Sequence, residues 1–312
     1  MIADEKCSHL PGVAVTGSSG LIGSALVAAL SKRGFEVTCL KRNPEARPGD
    51  PAFWSGITAG PGQPPRPAPR AVVHLAAETI AQRWTPAARE RIRRSRVEGS
   101  RSLVESLLRL QPLPRVVISA SATGIHGNRG DEMLDEWSSK GEGFLANLAQ
   151  EWEDAFAPLT QAGVRVVFAR FGIVLSPHGG ALAKMLLPFR LGLGGKLGSG
   201  RMFWSWISLP DAVSALCFLL EKEDVTGPVN VVSPFPVRQH EFAQTLASVL
   251  KRPCILSTPG WVLNLAMGDM AREALLASFN VQPRKLLQSG FQFRHPRLHD
   301  ALQHILSKGS PS

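Results

Sequence analysis

Thr16-Gly17-Ser18-Ser19-Gly20-Leu21-Ile22-Gly23 is the stretch on which the fold turns. The apolar run Val13–Thr16 ahead of it reads as a short buried strand. Leu21–Arg33 behind it has apolar residues at helical spacing and closes at Gly34. A strand, a Gly-x-x-Gly-x-x-Gly turn and a helix, in that order, open a nucleotide-binding βαβ unit. Glycine lets the chain turn tightly and approach a pyrophosphate, and the helix N-terminus supplies unpaired N–H groups and a favourable dipole. Gly17, Ser18, Ser19, Gly20, Leu21, Ile22 and Gly23 are therefore candidate phosphate-binding residues. A structural turn is the plainer alternative.

The pattern continues outward. Strands are expected at Glu36–Leu40, Ala71–Leu75, Arg115–Ser119 and Val164–Ala169, with helices around Pro86–Arg109 and Gly143–Leu159. Such alternation predicts an α/β protein with a Rossmann-type doubly wound parallel sheet, covered on both faces. Prolines and glycines dominate from Pro44 to Arg70, which reads as a surface excursion. From about Ser176 the character changes. Glycines cluster at Gly192–Gly200, followed by Phe203-Trp204-Ser205-Trp206. A helix (Pro210–Lys222), a strand (Val229–Val232) and helices near Gln239–Leu250 and Trp261–Ser278 then follow. We expect a nucleotide-binding domain over 12–175 and a smaller C-terminal substrate lobe over 176–308, mostly separate but with elements returning to the sheet. Trp204 and Trp206 are candidate walls of a substrate pocket, or core residues of that lobe.

Composition bounds the function. The chain has 312 residues, 44% hydrophobic and 19% charged, enough apolar content for a full core and too little charge for disorder. Cys7, Cys39, Cys217 and Cys254 are far apart, with neither metal-ligand spacing nor a disulfide framework. The acidic, polar N-terminus does not read as a secretory signal, and no apolar run nears the roughly 20 residues of a membrane helix. A cytoplasmic protein, monomeric or homodimeric, is expected. Part of the +10 net charge clusters at Arg89-Glu90-Arg91-Ile92-Arg93-Arg94-Ser95-Arg96. Without an aromatic stacking platform this reads as a solvated helix face rather than a nucleic-acid patch.

The end of the second strand selects the cofactor. An acid there would accept hydrogen bonds from a ribose 2′-hydroxyl, but the chain has Leu40-Lys41-Arg42-Asn43. Lys41 and Arg42 suit a 2′-phosphate, Arg42 through its fork of N–H donors, and NADP(H) is the expected cofactor. The strand ending His74-Leu75-Ala76-Ala77 offers small residues where a cofactor would cross the sheet edge.

With these motifs in place, the sequence resembles the extended short-chain dehydrogenase/reductases, and within them the atypical "epimerase family protein" subgroup of the NAD-dependent epimerase/dehydratase superfamily. The resemblance runs from about Val13 to Leu302. It is carried by Thr16–Gly23, Val73–Glu78, Arg96–Arg101, Ser119-Ala120-Ser121-Ala122-Thr123-Gly124, Arg170–Leu175, Gly179–Leu182 and Met185–Gly195, with Ser205-Trp206-Ile207 and Asp211. It implies an NADP(H) site in which Lys41-Arg42 meet the 2′-phosphate and Leu75, Ala76 and Ala77 line the cofactor, as Ser119 would. Arg96, where larger relatives carry an asparagine, should lie near it. Arg170, late in a strand, should reach the cofactor or substrate edge.

The superfamily's usual acid/base is a tyrosine with a lysine four residues on. This chain has no tyrosine at all, so that mechanism is excluded. Ser121 matches the superfamily's catalytic serine, or it is a strand-end cap. His126 could move protons near neutral pH, or it is a loop histidine. Asp131-Glu132, Asp135-Glu136 and Glu151-x-Glu153 are further acids, read as loop and helix-face groups. Two functions stay open. One is an NADP(H)-dependent oxidoreductase or epimerase-like enzyme acting on a small molecule of unknown identity. The other is a non-catalytic NADP(H)-binding sensor or partner-binding protein.

Overall fold

The computed structural model describes residues 12–43, 45–46, 53–57 and 67–307. Most of the Pro44–Arg70 excursion and the end of the chain lie outside these residues.

Seven strands form the central sheet. Six are labelled here: β1 (Val13–Thr16), β2 (Val37–Arg42), β3 (Trp54–Ser55), β4 (Ala71–His74), β5 (Val116–Ala122) and β6 (Arg165–Phe171). Their spatial order is Gly227–Val231, β6, β5, β4, β1, β2, β3, and every pairing is parallel except that of β2 with β3. The helices that anchor the site are α1 (Leu21–Lys32), α2 (Pro86–Leu108) and α3 (Phe144–Asp154). β1 and β4 are buried at every position, which is why they read as unbroken apolar runs.

The two faces bury separate cores. α1 and the helix Leu209–Glu221 cover one, with Leu26, Leu30, Leu216 and Leu219 packed on Val73 and Ile118. α2 and α3 cover the other, where Leu103, Leu107, Trp152 and Phe156 pack on Val72 and Val117. The sheet is therefore doubly wound. A third core, around Leu182, Leu186, Phe189, Trp204, Trp206, Phe242 and Leu302, belongs to the C-terminal part of the chain.

Several elements differ from the sequence reading. β5 runs to Ala122, so Ser121 lies inside the strand rather than after it. The long helix expected over Gly143–Leu159 is two, Phe144–Asp154 and Ala157–Gln161, because Pro158 cannot donate its backbone N–H to a continuing ladder. The helix expected near Trp261–Ser278 is Gly260–Met267, stopped by Gly268 at φ +62°, and a short π-helical turn. The helix Gly180–Arg190 had no counterpart in the reading. The excursion after Pro44 is not wholly superficial. Phe53, Trp54 and Ile57 are buried, and the Trp54 indole N–H donates to the Gly99 carbonyl of α2.

Among the described residues no helix is long and apolar enough to cross a membrane, and no group of side chains is arranged to hold a metal.

Candidate nucleotide and catalytic site

The glycine turn sits at the carboxyl end of β1. Gly17 has φ +67°, and a Cβ there would lie 2.7 Å from the Leu75 carbonyl carbon and 2.8 Å from the Ala76 nitrogen. A Cβ on Gly23 would fall 2.1 Å from the Gly17 carbonyl oxygen. These two positions accept only glycine, one for its conformation and one for the approach of α1 to the turn. The N-cap of α1 is Gly20, with no side-chain cap, so the first-turn N–H groups are left to a ligand or water.

What holds the neighbouring strand end is a buried polar chain. The backbone N–H groups of Leu75 and Ala76 donate to Thr16 Oγ1 at 3.1 and 3.3 Å. Thr16 Oγ1 lies 2.7 Å from His74 Nδ1, His74 Nε2 lies 3.2 Å from Ser100 Oγ, and Ser100 Oγ accepts the Trp152 indole N–H at 3.0 Å. Thr16 Oγ1 already accepts two N–H groups, so its hydroxyl proton goes to Nδ1. That assigns the His74 proton to Nε2. Burial lowers the His74 pKa to about 3, which keeps the ring neutral and this tautomer in place. The chain thus ties α3 and α2 to the sheet edge beside Gly17.

Lys41 and Arg42 are exposed at the end of β2, and neither forms an ion pair among the described residues. They belong to the strand itself, where β3 pairs alongside them. From β2 to β6 the carboxyl ends present, in spatial order, Lys41-Arg42, the Gly17 turn, Leu75-Ala76-Ala77, Ser121 and Arg170.

Ser121 and Arg170 face each other in register across β5 and β6. Both meet Glu153 of α3. Ser121 Oγ donates to Glu153 Oε1 at 2.6 Å. Arg170 Nε and Nη2 donate to Oε1 and Oε2 at 2.8 and 2.7 Å, and all three residues are buried. The bidentate pair fixes the carboxylate, and the carboxylate fixes the serine hydroxyl. Sequence reading treated Glu153 as a helix-face acid. The available signal was its place beside Trp152 on the apolar side of α3, opposite an arginine late in a strand.

His126 does not fit the role first given to it. It ends a 3-10 turn after β5 and is fully buried. Burial, with the nearby Arg170 charge, lowers its pKa to about 4, so it does not titrate near neutrality. Ser119 is likewise buried, and its hydroxyl donates to the Ala120 carbonyl. Trp204 and Trp206 are core residues, not pocket walls. Each is at most 3% exposed, and their indole N–H groups are satisfied by the carbonyls of Leu275 and Phe235. The acids after Gly130 are structural. Asp131 pairs with Arg238, Glu132 with Arg129 and Asp135 with Arg284, while Glu136 accepts the backbone N–H groups of Asn230 and Lys285.

The basic cluster on α2 is largely paired. Arg89 meets Asp269, Arg91 Glu78, Arg93 Glu151 and Arg94 Glu98. Arg96 differs. It is buried, donates through Nη1 alone to the Glu78 and Ile92 carbonyls, and stacks over the Trp152 ring with its carbon 5.0 Å from the centroid.

A doubly wound sheet with this turn at the carboxyl end of its first strand defines a dinucleotide-fold protein. Comparison with known proteins narrows the class. The NAD dependent epimerase/dehydratase family matches residues 13–232, and a domain of unknown function, DUF1731, matches residues 258–305. The chain belongs to the NAD dependent epimerase/dehydratase family. It is 39% identical over 308 residues to an epimerase family protein of Mycobacterium bovis, covering 95% of this chain and 98% of that one. An epimerase family protein of Staphylococcus aureus is 33% identical, covering 94% and 98%. Among solved structures, the human epimerase family protein SDR39U1 (isoform 2), solved with NADPH, superposes with a TM-score of 0.85. It is 34% identical, covering 95% of this chain and 99% of that one.

Proposed function

We propose that the protein binds NADP(H) and transfers hydride to or from a small molecule, as an oxidoreductase or epimerase-like enzyme. The observation that carries this reading is the cradle at β1. Two glycines leave no room for a Cβ, and the uncapped α1 N-terminus points at the same place. Gly17, Ser18, Ser19, Gly20, Leu21, Ile22 and Gly23 would hold the pyrophosphate. Lys41 and Arg42 would hold the 2′-phosphate, and Leu75, Ala76 and Ala77 would line the ribose beyond it. The NADPH in the human relative's structure supports the choice of cofactor.

When bound, the nicotinamide supplies or accepts the hydride. The chain's own residues must handle the proton. Ser121 Oγ, its proton already directed at Glu153, is set to accept a hydrogen bond from a substrate hydroxyl. As that hydroxyl is oxidised, Ser121 takes its proton and passes its own to Glu153 Oε1. In the reverse direction the two transfers run backwards. Arg170 acts through Glu153, holding the carboxylate in line. This constellation would do the proton transfer that the superfamily gives to tyrosine and lysine.

The absence of tyrosine favours a second reading, a non-catalytic NADP(H)-binding protein. Incubation with NADPH and a broad panel of carbonyl compounds separates the two. Turnover abolished by Glu153→Gln supports the enzyme. Stoichiometric NADPH binding without turnover on any compound supports the binding protein.

A further inference from the structure

The C-terminal part of the chain carries a helix with no buried residue. In Gly260–Met267 six of the eight residues are apolar, yet none is buried. Leu265 is 71% exposed, and Trp261, one turn before it, is 70% exposed. A helix of this composition belongs inside a core or at the boundary of a lipid bilayer.

The exposed apolar surface extends beyond this helix. The strand Leu256–Thr258 leads into it and pairs with Gly195–Leu197. Ile255, just ahead of that strand, is 81% exposed. Gly192 approaches Pro253 so closely that a Cβ would lie 3.5 Å from the proline ring. Leu191 and Leu193, both exposed, therefore run beside the segment that holds Ile255. Leu187, one turn before Leu191, is exposed as well. Two segments distant in sequence thus present one apolar region, larger than scattered surface leucines would make.

Both segments lack acids. No Asp or Glu occurs between Asp154 and Asp211, or between Glu241 and Asp269. They carry instead Arg190, Lys196, Lys251 and Arg252, all exposed and none in an ion pair among the described residues. The acids that bound the second segment are engaged. Glu241 accepts the Arg238 backbone N–H, and Asp269 pairs with Arg89 and Arg272. On α2, by contrast, cations and acids are interleaved and paired.

This single sign of charge decides the occupant. A second copy of the chain would set cation against cation, and an uncharged apolar partner would leave the cations without counter-charge. A lipid surface with anionic headgroups matches both parts. Acyl chains take the leucine and isoleucine side chains, headgroups take the lysines and arginines, and tryptophan prefers the boundary between them. The contact is with one leaflet, since among the described residues no helix is long and apolar enough to cross a membrane.

We propose that this face of the C-terminal lobe docks on a lipid surface that carries anionic headgroups. Trp261, Leu265, Ile255 and the neighbouring leucines enter the boundary of headgroups and acyl chains, and the flanking cations meet the headgroups. The inference does not depend on the cofactor or on the reaction.

The test is co-sedimentation of the full chain with phosphatidylcholine vesicles, with and without phosphatidylglycerol. Wild type should pellet with the anionic vesicles, stay in solution with the neutral ones, and be released as salt rises. Trp261→Ser with Leu265→Ser should weaken the binding roughly tenfold or more, and so should Lys251→Glu with Arg252→Glu. All four positions are exposed, so the fold should survive. Arg70→Glu with Arg115→Glu makes the same change of net charge at exposed positions ahead of β4 and β5, and should alter binding little. An equal loss in that control pair would mean adhesion by net charge alone and overturns the proposal. So does failure of wild type to pellet with the anionic vesicles, or undiminished binding by the Trp261→Ser, Leu265→Ser variant. Sedimentation velocity without vesicles covers the remaining occupant. A wild-type dimer that this same variant dissociates would give the face to a second copy, and also overturns the proposal.

Discussion

On the proposed NADP(H) site, Arg42 and Gly17 would contribute in opposite ways, and their substitutions should fail differently. Arg42 is exposed and forms no ion pair among the described residues, so Arg42→Ala should leave the fold intact. Loss of a charge-assisted contact to the 2′-phosphate should cost about 1.5–3 kcal/mol for NADPH and little for NADH, which has no such phosphate. Equal small losses in fluorescence titrations with both would sink the assignment. Gly17→Val drives a branched side chain into the Leu75–Ala76 backbone and demands a positive φ. Both nucleotides should lose affinity together, and normal binding would refute the cradle. For the chemistry, Ser121→Ala should lower turnover roughly 10²–10³-fold. Glu153→Gln keeps an oxygen for Ser121 and a partner for Arg170 but cannot hold the proton, so turnover should fall with NADPH affinity nearly unchanged. Unchanged rates in both variants would make the triad structural. The glycine turn was legible because its residues are contiguous and its backbone demands are local. The triad was not. Ser121, Glu153 and Arg170 are 32 and 17 residues apart in successive pairs, and only the parallel crossover of β5, α3 and β6 brings them together.

At the scale of elements, β4 and β5 each carry or lead into a buried neutral histidine, and this has a pH consequence. His74 and His126 have folded-state pKa values of about 3 and about 4 against an ordinary 6.5. The unfolded chain therefore binds protons below about pH 6.5 that the folded one refuses. Their contribution to stability is complete above that pH and is lost as pH falls toward the folded values. Each site should remove about 1.4 kcal/mol per pH unit across that window. Denaturant unfolding at a series of pH values should show this slope, and His126→Phe should flatten it by about one proton. An unchanged slope in that variant would mean His126 is protonated in the folded protein. Sequence periodicity located the main-sheet strands other than β3, together with α1 and α2, since their apolar faces pack as read. It overran at Pro158 and Gly268, where a missing N–H and a positive φ end helices whose apolar spacing continues. It passed over Gly180–Arg190, whose interior Pro188 and flanking glycines mask a helical face buried only through Leu182, Leu186 and Phe189.

Over the whole molecule, the sheet order places two regions of positive charge on either side of the glycine turn. Lys41-Arg42 lie at β2, and Arg96 lies beyond β4. On the proposed function Lys41-Arg42 hold the 2′-phosphate, and Ser121, Glu153 and Arg170 lie further along the same edge, toward β5 and β6. The doubly wound class was readable because strand–helix alternation repeats along most of the chain. The C-terminal core was not, because Trp204 and Trp206 look alike in sequence whether they line a cavity or fill one. If the edge from β2 to β5 is an NADP(H) site, calorimetric titration of the wild-type protein with NADPH and with NADH will show it. One NADPH should bind per chain, roughly tenfold or more tightly than NADH. Absence of binding, or equal affinity for the two nucleotides, would contradict it.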